Sequence, residues 1–187
     1  MLFLGYDIGS SAIKASILDA ETGTVRASAR VPSDEEMTMD APRPGWAEQP
    51  PERWWQEVQR ATAALRNETR FDPESVAAIG LTYQMHGLVL LGEHRDVLRP
   101  AIIWADSRAV DVGREAFEAL GEEWCLRHLL NSPGNFTAAK LAWVKHNEPE
   151  VYERARWALL PGDYVALRMT GTPRTTPRAC RRAPSGT

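Results

Sequence analysis

Three short segments at the start of the chain constrain its fold most strongly. Residues 2–8 are a nearly continuous apolar run, whereas residues 12–18 and 25–31 alternate apolar and polar side chains. Alternation with a period of two is typical of half-buried strands, and the short turns between the segments favour antiparallel pairing. The N-terminal region therefore predicts a three-stranded antiparallel meander.

The rest of the chain mixes strand and helix patterns. Residues 32–51 form a long loop, after which a helix with an apolar face that includes Trp55 is expected to begin at Pro50-Pro51. The apolar run 76–82 predicts a central strand covered on both faces. Further strands are predicted over 88–91, 97–103 and 157–160, with helices over 108–120, 137–146, 149–156 and 163–169. This order predicts an α/β domain with a mixed central sheet flanked by helices.

Composition narrows the class of protein. The chain has 187 residues, 43% of them hydrophobic and 25% charged, with a net charge of -3. These values are typical of a soluble globular domain and give no indication of a nucleic-acid partner. No apolar run approaches the roughly 20 residues of a membrane span, and the N-terminus does not resemble a secretory signal. A cytoplasmic protein with no membrane partner is the resulting expectation.

The end of the chain differs from the rest. From residue 171 onward the sequence contains arginines and prolines but no acidic residue and no apolar periodicity. We expect residues 1–171 to form the domain and residues 172–187 to be a basic Pro/Arg-rich tail, either disordered or the product of truncation or a shifted reading frame. A basic arm that binds nucleic acid is the alternative for this tail.

The first candidate site follows the first predicted strand. Asp7 lies near the end of that strand, and a Gly-Ser-Ser turn follows it. A carboxylate can hold hydrated Mg²⁺ through water, while glycine admits a phosphate close to the backbone and serine hydroxyls can donate to it. A plain hairpin turn is the alternative. The phosphate- and magnesium-facing candidates are Asp7, Gly9, Ser10, Ser11 and Lys14, with Asp7 contacting the metal through water.

A second polar motif follows the apolar run 76–82. Residues 84–87 read Gln-Met-His-Gly, and the amide and imidazole offer the donors and acceptors that sugar hydroxyls need. A turn whose polar groups bond the backbone is the alternative. The substrate-binding candidates in this motif are Gln84, Met85, His86 and Gly87.

Two tryptophan-containing segments complete the set of candidates. Trp104 could form a wall against the apolar face of a sugar, while Asp106 could either cap the next helix or pair with Arg108. Residues 46–49 read Trp-Ala-Glu-Gln in a loop that is otherwise polar. That composition indicates docking, either onto the surface of the domain itself or at the substrate entrance.

Taken in order, these motifs resemble those of xylulose kinases, which belong with glycerol and gluconate kinases among the carbohydrate kinases. The resemblance extends from residue 2 to about residue 171. Its motifs are Asp7-x-Gly9-Ser10-Ser11 with Lys14, Trp46-x-Glu48-Gln49, Pro51-x-x-Trp54-Trp55, Gln84-Met85-His86-Gly87, Arg99-Pro100 through Trp104-x-Asp106-x-Arg108, Lys140-Leu141-x-Trp143, and Leu159-Leu160-Pro161-x-Asp163-Tyr164.

The resemblance implies a fold, a reaction and a set of roles. The fold would be an actin-like, ribonuclease H-like domain whose mixed sheet combines an antiparallel meander with parallel strands. The reaction would move the γ-phosphoryl group of ATP, with Mg²⁺, to the 5-hydroxyl of D-xylulose. The Asp7 turn would face the phosphates, Met85 and His86 would contact the ketose, and Trp104 and Asp106 would lie near the sugar. Paired subunits are common among such kinases, so a homodimer is also implied.

The same resemblance implies that part of the machinery lies elsewhere. In these kinases the catalytic Asp and a second, ATP-binding domain lie downstream of the matching segment. We therefore expect no catalytic base on this chain and no sugar phosphorylation by the chain alone. The alternatives are a non-catalytic sugar-binding module and an interaction protein that pairs with a separately encoded C-terminal half.

Overall fold

The computed structural model describes residues 1–174, within which eight strands and six helices are formed. In chain order the strands are β1 Leu2–Ile8, β2 Ile13–Asp19, β3 Thr24–Val31, β4 Glu48–Gln49, β5 Val76–Tyr83, β6 Val89–Leu91, β7 Ala101–Ile102 and β8 Trp157–Leu159. The helices are α1 Pro51–Glu68, α2 Val110–Leu120, α3 Glu122–Leu129, α4 Thr137–Asn147, α5 Pro149–Arg154 and α6 Pro161–Thr170.

The predicted meander is confirmed. Strands β1, β2 and β3 pair antiparallel, and β5 adds to the other side of β1 in parallel, giving the order β3-β2-β1-β5. Every second residue of β1 is buried, as the pleat of a sheet with one covered face requires. The sheet is therefore mixed, as the sequence predicts.

Helix α1 covers one face of this sheet. It begins at Pro51, whose fixed φ suits the first turn of a helix and whose missing N–H is not needed there. Its buried face includes Val58 and Leu65, and the Tyr6 and Thr62 hydroxyls are hydrogen-bonded at 2.6 Å. Trp55, predicted on the apolar face, is only partly buried, whereas the neighbouring Trp54 is fully buried in the core.

The prediction for β5 is wrong in its environment. The strand forms, but within the described residues it lies at the edge of the sheet, and most of its side chains are exposed. A continuous apolar run is typical of a central strand, which has a neighbouring strand on each side and both faces covered. Here β1 is the only strand that pairs with β5 among residues 1–174.

Residues 84–174 contribute to the core of the sheet and also form an apolar cluster of their own. Strand β6 pairs with β8 within this part, whereas β7 pairs with β4 of the long loop. Leu90, Ile102 and Val144 lie in a second apolar cluster. Sequence patterns predict α4, α5, β8 and α6 nearly in place but miss α3, and they extend a strand over 97–103 where only β7 forms. Pro100 lacks an N–H, which limits pairing there. No helix among residues 1–174 has the length and apolar character needed to cross a bilayer.

The tail prediction is mostly outside the described part of the chain. Residues 172–174 follow α6 without regular structure. The remainder of the predicted tail, residues 175–187, lies outside the described residues.

Candidate active site

The Gly-Ser-Ser turn links β1 to β2 tightly. The Gly9 N–H donates to the carbonyl of Ala12 at 3.1 Å, and a Cβ atom at Gly9 would lie 2.7 Å from that same oxygen. Real Cβ atoms do not approach so closely, so the turn needs glycine at this position. Gly9, Ser10 and Ser11 are each partly exposed to solvent.

Asp7 and Lys14 lie side by side on the face of the sheet opposite α1. They are directly paired across β1 and β2, with 3.7 Å between the Lys14 Nζ and an Asp7 carboxylate oxygen. Both side chains are largely exposed, so this ion pair is screened by solvent and contributes little to stability. They line an open groove of about 530 Å³ together with residues of β2 and β5.

Ser10 connects this turn to two distant segments. Its hydroxyl accepts a hydrogen bond from the Trp104 indole N–H at 3.1 Å, and its carbonyl accepts one from the Gln49 amide at 2.7 Å. Gln49 is fully buried and also accepts from the Trp54 indole N–H at 3.0 Å. The long loop therefore docks on the domain's own surface, one of its two predicted destinations. Its buried Gln49 holds the turn through the Ser10 carbonyl.

The Gln-Met-His-Gly motif begins at the same sheet edge. The backbone N–H of Gln84 donates to the carbonyl of Ile8 at 2.9 Å, which continues the parallel pairing of β5 with β1. The carboxyl ends of parallel strands meet at one edge, so the two predicted motifs are neighbours. Gly87 is buried, and a Cβ atom there would lie 2.5 Å from the Pro161 ring.

His86 is held in an unusual backbone conformation. Its φ of 60° is in the left-handed region, which costs energy for a residue other than glycine. Its ring stacks on Phe136, with 4.9 Å between the ring centroids and 20° between the planes. Burial, and then the positive charge of Lys140, lower the pKa of His86. A neutral imidazole can both donate and accept a hydrogen bond, which suits a hydroxyl ligand.

Two side-chain amides near these motifs have buried polar atoms without partners within residues 1–174. The Gln84 side-chain nitrogen and oxygen, and the Asn135 side-chain oxygen, are shielded from solvent without a hydrogen bond. The Asn135 amide nitrogen donates to the Trp104 carbonyl at 2.6 Å, so it lies beside the half-exposed Trp104 ring. Unpaired buried polar groups in a native fold call for an explanation, and a polar ligand is one.

Asp106 is placed differently from the other candidates. Its side chain is fully buried, and its carboxylate accepts from the Ala47 N–H at 2.6 Å and pairs with Arg108 at 2.7 Å. It does not cap α2, which begins at Val110. Arg108 also pairs with Glu48 at 2.7 Å. This buried charge cluster shapes the segment that carries Trp104.

Sequence reasoning assigned no role to three residues that organise this region. Asn135 and Phe136 precede α4, and Lys140 lies within it; all three contact the segments that hold His86 or Trp104. Lys140 had a signal in the sequence, since it is a lone charge inside an apolar run. Asn135 and Phe136 had none, because their contacts are distant along the chain.

The parallel pairing of β1 with β5 thus places the glycine-containing turn and the polar motif 84–87 beside each other. The chain belongs to the FGGY family of carbohydrate kinases, whose N-terminal domain model matches residues 2–178.

Curated relatives agree with this family. The chain is 38% identical over 170 residues to the xylulose kinase of Escherichia coli, a match that covers 91% of this chain and 34% of that protein. It is 39% identical over 175 residues to the xylulose kinase of Bacillus subtilis, covering 90% of this chain and 33% of that protein. The chain thus spans about a third of the length of these relatives.

Solved structures agree on the fold. A xylulose kinase from Rhodospirillum rubrum superposes with a TM-score of 0.82 at 28% identity, over 92% of this chain and 35% of that one. One from Brucella ovis gives 0.78 at 36% identity, over 89% and 34%. The fold is therefore that of the actin-like sugar kinases, which confirms the fold class predicted from the sequence.

Proposed function

We propose that this chain supplies the sugar- and phosphate-binding part of an ATP-dependent kinase that phosphorylates D-xylulose. One observation carries the proposal: the Gly-Ser-Ser turn and the Gln-Met-His-Gly motif begin side by side at one sheet edge. Trp104 is joined to the turn by its hydrogen bond to Ser10. It is linked to His86 indirectly, through Asn135 and Lys140. Such an arrangement would hold phosphate and sugar close together, and phosphoryl transfer depends chiefly on that positioning.

On the phosphate side, the residues fit ATP and Mg²⁺. Gly9 admits close approach to the backbone, Ser10 and Ser11 supply hydroxyls and amides, and Lys14 supplies a positive charge. Among residues 1–174, no group of three or more His, Cys, Asp or Glu side chains could hold a metal ion. Mg²⁺ in kinases retains water and binds phosphate oxygens, so the half-exposed Asp7 carboxylate would suffice as a contact through water.

On the sugar side, the proposed contacts are Gln84, Met85, His86 and Trp104. The exposed Met85 side chain and the Trp104 ring would meet the apolar faces of a ketose. The unpaired Gln84 amide and the neutral His86 imidazole would bond its hydroxyls. Gly87 would shape the turn, and we propose that Asp106 acts from behind as a positioning residue rather than as a contact.

Two further features belong to this proposal. ATP as phosphoryl donor favours a cytoplasmic setting. A second copy of the chain is the partner we propose for the exposed β5 edge, which would produce a homodimer.

Isothermal titration calorimetry tests the sugar site. We expect D-xylulose to bind the 187-residue chain and His86→Ala to weaken that binding at least tenfold, which is about 1.4 kcal/mol. His146→Ala, which changes an exposed histidine of α4, is the matched control and should bind like the parent chain. No xylulose binding by the parent chain would contradict the proposed substrate.

The same method separates a kinase part from a sugar-binding module. We expect MgATP to give a binding heat with the parent chain, because the chain contains the whole of the proposed phosphate-facing turn. Asp7→Asn should reduce that heat, because it removes the carboxylate proposed to contact Mg²⁺ through water. A sugar-binding module would instead bind xylulose and show no response to MgATP.

A further inference from the structure

Lys140 is a charged side chain in a place where charges are rare. Its side chain is fully buried on α4, the helix that also contributes Val144 to the second apolar cluster. Lysine is almost never fully buried unless its ammonium group has partners, because loss of hydration is costly.

The partners of this ammonium group are backbone carbonyls. Its Nζ donates to the carbonyl of His86 at 2.8 Å and to that of Asn135 at 3.3 Å. An acceptor on His86 is informative because that residue has the left-handed conformation, which persists only when its surroundings stabilise it. The cation therefore fixes the conformation of the Gln-Met-His-Gly turn.

The second carbonyl extends this influence to the rest of the site. Asn135 donates through its side chain to the carbonyl of Trp104, and the adjacent Phe136 stacks on the His86 ring. Lys140 thus contacts the His86 turn directly and is linked to the Trp104 segment through Asn135. The Lys140 side chain itself is fully buried and is not exposed at the surface.

We infer that Lys140 is a positioning residue whose buried ammonium group locks the His86 turn and the Asn135–Phe136 segment together, so that His86 and Trp104 are presented to the sugar. This inference rests on the proposed function for the identity of the ligand. The geometry of the turn can be tested without any ligand.

The charges around Lys140 are consistent with a cation held at some cost. Desolvation lowers the pKa of Lys140 to about 8, while Asp106 raises it and Arg108 lowers it. His86 is the other titratable group that faces it, and Lys140 in turn lowers the pKa of that imidazole. Loss of the charge should therefore be detectable at His86.

NMR of Lys140→Met tests the positioning directly. We expect the His86 ring and Trp104 indole resonances to move, and the pKa of His86 to rise toward its usual value near 6.5. Lys140→Arg, which keeps the charge, should restore the low pKa of His86, a result that a merely space-filling role would not give. Lys145→Met, which removes an exposed lysine of the same helix, should change none of these signals.

A pH titration of the parent chain covers the case in which Lys140→Met does not fold. The His86 and Trp104 signals should then respond together as Lys140 loses its proton near pH 8. Unchanged His86 and Trp104 signals in Lys140→Met, or in this titration, would overturn the inference.

Calorimetry with D-xylulose separates the two failures. If the parent chain binds xylulose, Lys140→Met should weaken binding at least tenfold, and equal affinity would overturn the inference. If the parent chain binds no xylulose, the proposed function fails, and the NMR comparison alone decides whether Lys140 positions the turn.

Discussion

Gln84 is the residue whose surroundings are hardest to explain without a ligand. Both polar atoms of its side chain are buried and unpaired within residues 1–174. A buried polar group without a partner costs roughly 1–3 kcal/mol of stability. A fold that retains such a group at the end of β5, in the same motif as His86, is consistent with a polar ligand that completes the hydrogen bonds.

Replacing Gln84 should therefore separate stability from binding. We expect Gln84→Met, of similar size but apolar, to raise the free energy of unfolding by about 1–2 kcal/mol because the unpaired amide is gone. The same change should weaken xylulose binding. Urea unfolding and calorimetry measure the two effects, with the exposed Gln56→Met as control. A less stable variant with unchanged affinity would contradict this reading of the site.

Gly9 permits a similar test of the phosphate-facing turn. A Cβ atom there meets the Ala12 carbonyl at 2.7 Å, so Gly9→Ala should lower the free energy of unfolding by about 1–3 kcal/mol and weaken MgATP binding. At Gly80 on β5 a Cβ atom meets nothing within 4 Å, so Gly80→Ala is the matched control and should be nearly neutral. Equal unfolding curves for the two variants would count against a tight turn.

At the scale of elements, α4 links the second apolar cluster to the candidate site. Its Val144 packs in that cluster, and its Lys140 donates to the His86 carbonyl. The pKa of this lysine in the folded chain is about 8, below its usual value of 10.5. The unfolded chain therefore binds the proton more tightly than the folded chain does. Between these two values, stability should rise as the pH increases, and below pH 8 this contribution should be constant.

Lys140→Met isolates that contribution. Between about pH 7.5 and about pH 9.5, the free energy of unfolding of the parent chain should gain ~1–2 kcal/mol relative to the variant. The two chains differ only at residue 140, and this pH window lies above the usual histidine pKa near 6.5. Urea unfolding at several pH values measures it. Parallel pH profiles would show that Lys140 is not held in a desolvated site.

The sequence predicts some elements well because their signals are local. A short apolar run gives β1, alternation gives β2 and β3, and proline gives the start of α1. The Asp7 turn and residues 84–87 are neighbours because β1 and β5 are parallel, so that their carboxyl ends meet. The local signal for this arrangement is that each motif directly follows a predicted strand. The edge location of β5 could not be predicted, because a run of apolar residues does not report which strands lie beside it.

Candidate site residues differ in the same way. Gly9 and His86 are recognisable by residue type and by their place after a strand. Asp106 accepts a hydrogen bond from Ala47, 59 positions away along the chain. Lys140 donates to His86, which is 54 positions away. Such contacts form only when the layers pack, so no local pattern contains them.

At the scale of the molecule, the edge strand β5 leaves apolar surface exposed among the described residues. Ile79 on β5 is 51% exposed, and an open groove of about 410 Å³ runs beside it between Phe3, Leu18 and Ala78. Exposed edge strands offer unpaired backbone groups to another chain. In a solution of the purified protein, a second copy is the polypeptide available to cover this surface.

Ile79→Lys tests this surface. We expect the parent chain to self-associate and the variant to shift toward monomer, because a charge on an edge strand opposes pairing. Val25→Lys on β3, the other edge of the sheet, is a suitable control, since Val25 is 59% exposed. Light scattering after size-exclusion chromatography gives the mass of each. A parent chain that is monomeric at all concentrations would contradict the proposed homodimer.

The most direct test of the account is an NMR map of the backbone and indole signals of this chain during titration with D-xylulose and then with MgATP. The account predicts that xylulose shifts residues 84–87 and the Trp104 indole, that MgATP shifts residues 7–11, and that Ser10 responds to both ligands. Shifts that map to separate surfaces, with Ser10 and Trp104 unchanged, would contradict a shared sugar and phosphate site.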